Sequence, residues 1–550
     1  MRIAIGWIAV LPLLGQQLAI HNAKVWTGDT KQPFVQALLI EGERIAAVGA
    51  NEAIRSRQSP KAQVIDAGGK LVIPGFHDAH IHFLSGSLGL TNIDLTGICT
   101  LETMQQKIAE YARAHPQKQW ITGRGWEYYC FPDKRLPKKE DIDPVVSDRP
   151  VLLIAYDGHT AWANTKALER ADINRATKFD GYGEIVKDAV SGQPTGCLKE
   201  GAIGLVRKLV PETTRVDKLN ALRQGMRLAA SLGITSMQNA SGDEDELSLY
   251  AELLRRNELT VRISFAFSIP PGAPLARADE IARLMNRDRT SRMLRVRGVK
   301  LMMDGVIESF TASMLEPYAN HAGTGSAAWA KDKFSEMVER CDRNRLQVFT
   351  HAIGDKGVRD TLDAYERASR VVGPRDRRHR IEHIEIIDPA DLTRFAKLGV
   401  LASMQPIHAD PDTIDVWSQA IGPLRLPFSF AWSSLETAGA TLVFSSDWPA
   451  SLSVNPIRGI HNAVNRRTIE GKPPEGWLPK QRVSLETALR GYTTNAAYAA
   501  FEEGYKGKIA PGMLADVIAL SQDIFSIDPI DLHKTTVEWT VFGGRTIYRK

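Results

Sequence analysis

The feature that most constrains this chain is a repeated alternation of short apolar strand patterns with longer helical patterns between residues 71 and 446. Helical spacing is clear in connections such as 331–344 and 356–371. Alternating strands and helices predict a parallel sheet, and eight strands favour its closure into a barrel. We therefore expect an α/β fold built on a distorted TIM (β/α)8 barrel, with an open doubly wound sheet as the rival. The predicted strands are 71–83, 233–240, 261–267, 296–303, 346–351, 380–386, 400–405 and 441–446.

The two ends of the chain show a different pattern, in which short strand-like runs are separated by tight turns such as Gly543-Gly544. Because the termini of a domain often lie close together, runs from the two ends can pair. We predict a composite β-sandwich formed by 18–70 and 505–550, beside a barrel domain that spans 71–504.

About 150 residues separate the first predicted barrel strand from the second, which is too many for a structureless loop in a compact domain. We predict an inserted subdomain at about 84–230 that covers the mouth of the barrel. This stretch is rich in aromatic residues, among them Trp126, Tyr128 and Tyr156.

The N-terminus differs from the rest of the chain. Met1 and Arg2 precede a nearly apolar run over 3–15, a pattern typical of a secretory signal peptide and too short to span a membrane. It predicts removal of 1–17 and a periplasmic or secreted protein, with no stable membrane insertion after the leader is removed. The alternative is a cytoplasmic protein whose first strand includes this run.

Composition narrows the choice of partners. The net charge is only +5 over 550 residues and no long basic run is present, so we expect no nucleic-acid surface. The four cysteines form no CxxC pair, which suggests neither a zinc knuckle nor a disulfide framework, and we expect buried thiols. A small molecule is the expected partner, and a homo-oligomer is left open.

A His-x-His pair, His80 and His82, ends the first predicted barrel strand. Residues i and i+2 of a strand face the same side, so both imidazoles can bind one metal ion. A His-x-His pattern also arises by chance, and solvated or core histidines are the alternative. Their position at a strand end favours function, because active sites of such barrels lie there.

Four further polar residues fall at the ends of later predicted strands. They are Lys300, His351, His383 and Asp447, on strands four, five, six and eight. Any one of them alone is most often a satisfied core group. Together with the His-x-His pair they predict a metal site inside the barrel, because imidazole and carboxylate suit a divalent metal, zinc in the first place.

The order of these motifs resembles the amidohydrolase superfamily, and within it the amidohydrolase family 3 group of N-substituted formamide deformylase-like proteins. The resemblance covers nearly the whole chain after the leader. The residues that carry it are Pro-Gly-Phe-His-Asp-Ala-His-Ile-His at 74–82, Val-Lys-Leu-Met-Met-Asp-Gly at 299–305, Thr-His-Ala-Ile-Gly-Asp at 350–355, Arg-Ile-Glu-His at 380–383, Ser-Ser-Asp-Trp-Pro at 445–449, the segments 156–164 and 493–497, and the late segment 507–516.

The resemblance implies one or two divalent metals and a role for each ligand. His80 and His82 would bind a buried ion, and His351 and His383 a more exposed one. Lys300 would bridge the two as a carbamate, although a plain ammonium paired with Asp304 or Asp447 is the alternative. Asp447 would bind metal and act as the base.

Two further histidines are candidates for contact with substrate. His159 follows a turn in the predicted insert, and His408 follows the seventh strand. A structural hydrogen bond is the alternative for His159. Glu200 lies in a segment that is similar to the group, and no role is derived for it.

The expected activity is hydrolysis of a carbon–nitrogen bond other than a peptide bond, in an amide or N-substituted formamide-like substrate, by metal-activated water. The same site supports hydrolysis of an ester, a lactone or a cyclic amide. A catalytically inactive binding protein is the alternative from another class.

Overall fold

The computed structural model describes residues 17–181, 183–287 and 291–550. The predicted signal peptide lies outside the described residues, apart from Gln17, which begins a strand. In the described part of the chain, no helix has both the length and the apolar character needed to cross a bilayer.

Eight parallel strands form one sheet, and each strand lies beside its predecessor in the chain. This order differs from that of an open doubly wound sheet, which reverses at a switch point. The strands are Phe76–Ile81, Ile234–Gly242, Arg262–Ser268, Leu294–Met302, Gln347–Ala352, Arg380–His383, Leu401–Met404 and Leu442–Phe444. They are called barrel strands one to eight below, and each overlaps one of the eight predicted strands.

Hydrogen bonds just beyond the strand ends join strand eight to strand one. The amide of Asp447 donates to the carbonyl of His80 over 2.8 Å, and the amide of His82 donates to the carbonyl of Trp448 over 2.8 Å. The buried carboxylate of Asp78 accepts the Ser446 hydroxyl over 2.5 Å. The sheet is thereby a nearly closed, TIM-like barrel.

The prediction of one continuous first strand over 71–83 was wrong at Gly75. The chain forms Leu71–Pro74 in a sheet of the terminal region and then barrel strand one. The amide of Gly75 donates to the carbonyl of Asp516 over 2.9 Å, and a Cβ there would lie 2.3 Å from Oγ1 of Thr235. The chain therefore crosses between two sheets at a residue where no side chain fits.

Helices follow or separate the barrel strands and bury one face each. In Asp355–Val372, for example, Val358, Leu362 and Tyr365 are buried at helical spacing. Truncation of Leu362 to alanine would cost about 2–5 kcal/mol of stability. The helices are Arg215–Ser231, Glu244–Arg255, Ala276–Arg287, Lys331–Arg343, Asp355–Val372, Leu392–Leu398, Asp415–Ile421, Trp432–Thr437, Pro456–Asn465, Leu485–Gly491 and Thr494–Ala499.

The terminal segments form two sheets that share one apolar core. Leu38 and Ile40 of the first sheet and Val517 and Val541 of the second belong to this core. The first sheet contains, in spatial order, Arg44–Gly49, Ala37–Glu41, Gln17–His21 and Gln63–Asp66. The second contains Arg545–Arg549, Val537–Phe542, Val517–Leu520, Leu71–Pro74, Lys24–Trp26 and Phe34–Val35, and so combines strands from both ends of the chain.

The segment of chain between barrel strands one and two forms a further six-stranded sheet. Its spatial order is Gly183–Lys187, Pro194–Glu200, Thr160–Ala163, Val151–Ala155, Ile121–Trp126 and Ile93–Asp94. The helices Phe83–Gly89, Leu101–Ala114, Thr165–Arg170 and Gly204–Arg207 belong to the same stretch of chain.

The expectation that the cysteines form no disulfide was wrong for one pair. Cys99 and Cys130 are joined in a disulfide, whereas Cys197 and Cys341 are buried free thiols. Cys99 and Cys130 each follow one of two neighbouring parallel strands, Ile93–Asp94 and Ile121–Trp126, so the loops that carry them leave the sheet at the same edge. Sequence spacing alone does not show such a meeting.

Candidate metal centre and active site

The six predicted metal-site residues converge at the carboxyl ends of the barrel strands. Atoms of His80, His383 and Asp447 that can bind metal all lie within 4.8 Å of one another, and the three residues are buried. His82 and Lys300 join this group through contacts with Asp447 and His80, and the ring of His351 packs on that of His383.

His80 is held by a chain of buried charges. Its Nδ1 lies 2.5 Å from Oε2 of Glu382, which also accepts a hydrogen bond from the Ser403 hydroxyl over 2.7 Å. Burial opposes ionisation of Glu382, but Arg380 and His80 outweigh it and hold its pKa well below the usual range. A carboxylate on Nδ1 fixes the ring and leaves Nε2 free as a ligand atom.

Asp447 lies at the centre of the cluster. Its Oδ1 is 3.3 Å from Nε2 of His80 and 3.2 Å from Nε2 of His82, but it makes no aligned hydrogen bond. Its backbone has a φ of 59°, in the left-handed region, and such strain is typical of functional sites. A buried carboxylate oxygen without a partner, facing two imidazole nitrogens, fits a site for a divalent cation.

His383 completes the compact group. Its Nδ1 lies 2.8 Å from Oε1 of Gln405, which leaves Nε2 as the ligand atom. The ring centroids of His383 and His351 are 4.5 Å apart, and Nε2 of His351 lies 3.0 Å from the carbonyl oxygen of Gly305. Burial and the neighbouring Lys300 lower the pKa of His351 to about 3, so it is a neutral imidazole, the form that binds metal.

Lys300 points into the same centre from barrel strand four. Its Nζ lies 3.3 Å from Nε2 of His80, and only 4% of the residue is exposed. Burial lowers the pKa of Lys300, although Glu382 and Asp447 act in the opposite direction. A buried amine beside an imidazole and a carboxylate is the position from which a modified lysine would reach bound metal.

The cluster forms the inner end of a cavity of about 200 Å³. Both predicted substrate-contacting residues line it. Nδ1 of His159 lies 3.0 Å from Oε2 of Glu200, and His408 lies with Nε2 3.6 Å from Oδ2 of Asp447 and Nδ1 3.7 Å from Oε1 of Glu385. Burial disfavours the charged form of His159, but Glu200 and Asp157 outweigh it and raise its pKa to about 9.

Sequence reasoning missed the residues that hold the ligands. Glu382 and His383 are adjacent, yet both reach the cluster, which strict alternation along a strand forbids. The φ of His383, 78°, shows that the chain leaves extended geometry there. Gln405 and Asp78 were not singled out either, because a buried polar residue carries no signal of its partner.

Known proteins are similar to this chain over nearly its whole length. A profile of the amidohydrolase family matches residues 63–548. The chain is 31% identical to Protein LONG AFTER FAR-RED 3 of Arabidopsis thaliana over 96% of its own length and 91% of that protein. It is 28% identical to an N-substituted formamide deformylase of Arthrobacter pascens, over 97% and 99% of the two chains.

A solved structure has the same fold. An uncharacterized metal-dependent hydrolase from Pyrococcus furiosus superposes with a TM-score of 0.71 at 28% identity, and the match covers 94% of this chain and all of that one. The chain belongs to the amidohydrolase family. It is an enzyme of the hydrolase class that acts on carbon–nitrogen bonds.

Proposed function

We propose that this protein hydrolyses a small amide or N-substituted formamide-like substrate with the help of a divalent metal. The observation that carries the proposal is the buried group of His80, His383 and Asp447 at the inner end of a cavity. The deformylase relative supports the substrate class, because its name describes a reaction at such a bond.

The residues that would hold the ion or ions are His80, His82, Lys300, His351, His383 and Asp447. The histidine-rich donor set favours zinc. When bound, a divalent ion supplies a Lewis acid that polarises a carbonyl and makes water acidic enough to attack at neutral pH.

Asp447 is the proposed proton carrier. Its Oδ1 makes no aligned hydrogen bond, so it is available to accept a proton from the attacking water. The leaving nitrogen must gain a proton when the carbon–nitrogen bond breaks, and Asp447 is placed to return it. His408, 3.6 Å from Oδ2, is positioned to hold this carboxylate or the substrate beside it.

Lys300 is the proposed bridging residue. As a carbamate it would offer two oxygens to two ions, whereas an unmodified ammonium is a poor ligand for a cation. The 3.3 Å contact of Nζ with His80 supports this role, because it brings the amine into the ligand group. The alternative is a plain ammonium beside a single ion.

The experiment is metal quantitation coupled to a panel of amides, N-substituted formamides, esters and lactones. We expect divalent metal in active protein, loss of hydrolysis on prolonged chelation, and recovery with zinc. Faster turnover of esters or lactones would favour the alternative substrate class. Metal-free protein that retains full activity would end the proposal. Protein that is purified without metal and hydrolyses nothing after zinc is added would favour a binding protein.

We further propose that the two terminal sheets form a composite β-sandwich domain, 18–70 with 505–550, and that 84–230 is an inserted subdomain of the barrel domain, 71–504. The core shared by the terminal sheets and the separate sheet of the insert support this division.

Export is proposed on two grounds, the apolar run at 3–15 and the Cys99–Cys130 disulfide, because disulfides persist mainly in oxidising compartments. N-terminal sequencing of fractionated native protein tests it. A periplasmic or secreted form that lacks residues 1–17 is expected, and an intact Met1 in a cytoplasmic fraction would contradict it.

A further inference from the structure

The outer wall of the cavity carries three carboxylic acids. Asp157 comes from the insert, Glu308 from the loop after barrel strand four, and Glu385 from just after barrel strand six. Among the residues that the structure describes, none of the three forms an ion pair with lysine or arginine.

Their partners are neutral donors and two histidines. Asp157 accepts the Tyr128 hydroxyl over 2.9 Å and the backbone amide of His159 over 3.0 Å. Glu385 accepts the Trp417 indole N–H over 2.7 Å and lies 3.7 Å from His408. These two carboxyls are therefore fixed in position. The charged imidazole of His159 lies near Asp157, but it is also paired with Glu200.

Glu308 is the least satisfied of the three. Its one hydrogen bond to another side chain within the described residues is a long contact of 3.4 Å from the Tyr156 hydroxyl. Burial, together with Glu385 and Asp157, raises the pKa of Glu308 to about 8. The protein itself thus supplies too little positive charge to keep this carboxyl ionised at neutral pH.

Arg124 does not fill this need. Arg124 donates through its guanidinium to the backbone carbonyl of Tyr156 over 2.7 Å and makes no ion pair with Asp157 or Glu308 among the described residues. Lys300 lies at the other end of the cavity, within the ligand cluster.

The three carboxyls line the same cavity as Asp447 of the ligand cluster. Asp447 is 5% exposed, its Oδ1 makes no aligned hydrogen bond, and it lines the same cavity at the inner end. Met302, Ile353 and Leu452 contribute apolar surface to the lining. A ligand that fits both ends has a polar group at Asp447, an apolar body, and a positively charged group at the outer wall.

We propose that the substrate carries an ammonium group, which Glu308 binds with the support of Asp157 and Glu385 while the scissile bond lies at Asp447. This inference rests on the proposed function for the scissile bond, but its charge recognition does not depend on turnover. An ammonium offers N–H donors to several carboxylates at once, and such charge-assisted hydrogen bonds are the stronger kind. A cavity of about 200 Å³ restricts the ligand to a small molecule.

The first test is calorimetric and needs no catalysis. The metal-loaded protein is titrated at pH 7 with 2-phenylethylammonium and with 2-phenylethanol, its neutral counterpart. We expect the ammonium to bind at least about tenfold more tightly, and Glu308→Gln to abolish the preference. Glu308→Asp, which keeps the charge, should retain part of it, and Glu316→Gln, on an exposed position of the same loop, should retain all of it.

Equal binding of the two probes by wild-type protein would overturn the proposal, as would an unchanged preference in a folded Glu308→Gln variant. Loss of metal from that variant would also overturn it, because Glu308 would then be a metal ligand.

The second test uses paired substrates from the productive class, one with a remote ammonium and one with a hydroxyl in its place. The ratio of their kcat/KM values should fall about 10- to 100-fold in Glu308→Gln. A protein that binds the ammonium probe selectively but hydrolyses nothing would contradict the proposed function and leave charge recognition standing, so the two failures are distinguishable.

Discussion

The two ends of the cavity are built on opposite electrostatic principles. At the inner end two of the proposed metal ligands have partners that fix them: His80 has Glu382, which pairs with Arg380, and His383 has Gln405. At the outer wall Asp157, Glu308 and Glu385 form no ion pair with arginine or lysine among the described residues, and their partners are neutral donors and two histidines.

This difference shows which end is preorganised by the protein and which end relies on its ligand for charge. The inner cluster combines imidazoles, a lysine and a paired carboxylate before any substrate arrives, as electrostatic preorganisation requires. The outer wall has an excess of carboxyl groups, so their ionisation depends on a positively charged group that the ligand supplies. Variants at the inner end should therefore affect every substrate, whereas variants at the outer wall should affect only some.

The largest expected effect is that of Asp447→Asn, which removes the carboxylate that contacts His80 and His82. Loss of a general base typically lowers the rate by about 10²–10⁴-fold, and loss of a ligand should lower metal content as well. The measurements are kcat and metal per chain. Asp412→Asn, an exposed position beyond barrel strand seven, is the control and should change neither. A variant that keeps the wild-type kcat on any substrate would remove Asp447 from the mechanism.

Glu382→Gln has the next largest expected effect and tests how far the inner end depends on the residues that hold the proposed ligands. Without the carboxylate charge that faces Nδ1 of His80, metal affinity or activity should fall about 10- to 100-fold for all substrates alike. Glu503→Gln, which also removes the partner of an arginine, is the control, because Arg378 lies outside the ligand group. Circular dichroism checks folding, since Arg380 loses a buried partner. Wild-type metal affinity in the folded variant would contradict the assigned role of Glu382.

The inner end could be predicted from the sequence because its proposed metal ligands lie at the ends of regular strands. His80 and His82 follow simple alternation, and Lys300, His351, His383 and Asp447 each lie in or just after a predicted strand. The positions of the barrel strands could be predicted for the same reason, except at Gly75, where the close approach of Thr235 divides one apolar run between two sheets.

The outer wall could not be predicted in this way. Glu308 and Glu385 lie just after strands, but nothing in their spacing shows that the insert brings Asp157 to the same cavity. The link between Cys99 and Cys130 was missed for a related reason, since the meeting of two loops depends on the pairing of strands in three dimensions.

Breaking the Cys99–Cys130 disulfide should destabilise the insert and leave the inner cluster intact. A closed loop of this length contributes about 3–4 kcal/mol in the chain-entropy description, here to the insert that carries Asp157 and His159. We expect the Cys99→Ser/Cys130→Ser double variant to show a KM raised a few-fold and unchanged metal content. A phosphine reductant should have the same effect on wild-type protein and none on the double variant. Loss of metal in either case would show that the two ends are coupled.

The smallest expected effect concerns His159, the outer-wall group whose charge the protein does stabilise. Its pKa is raised from 6.5 to about 9, because Glu200 and Asp157 outweigh the effect of burial. The charged form is thus favoured by folding. Its contribution to stability is fully present below pH 6.5 and is lost as the pH rises from 6.5 through about 9.

Comparison of wild type with Glu200→Gln across pH 6–10 tests this contribution. The free energy of unfolding should favour wild type by about 1.5–3 kcal/mol at pH 6, the range for hydrogen bonds to charged groups, and the advantage should shrink towards pH 10. Glu184→Gln, which removes an exposed partner of Lys199, should give a small difference that does not vary over this range. A wild-type advantage that grows with pH would mean that His159 is neutral in the folded protein. Its charge would then no longer offset the acids beside it, and the outer wall would need still more positive charge from its ligand.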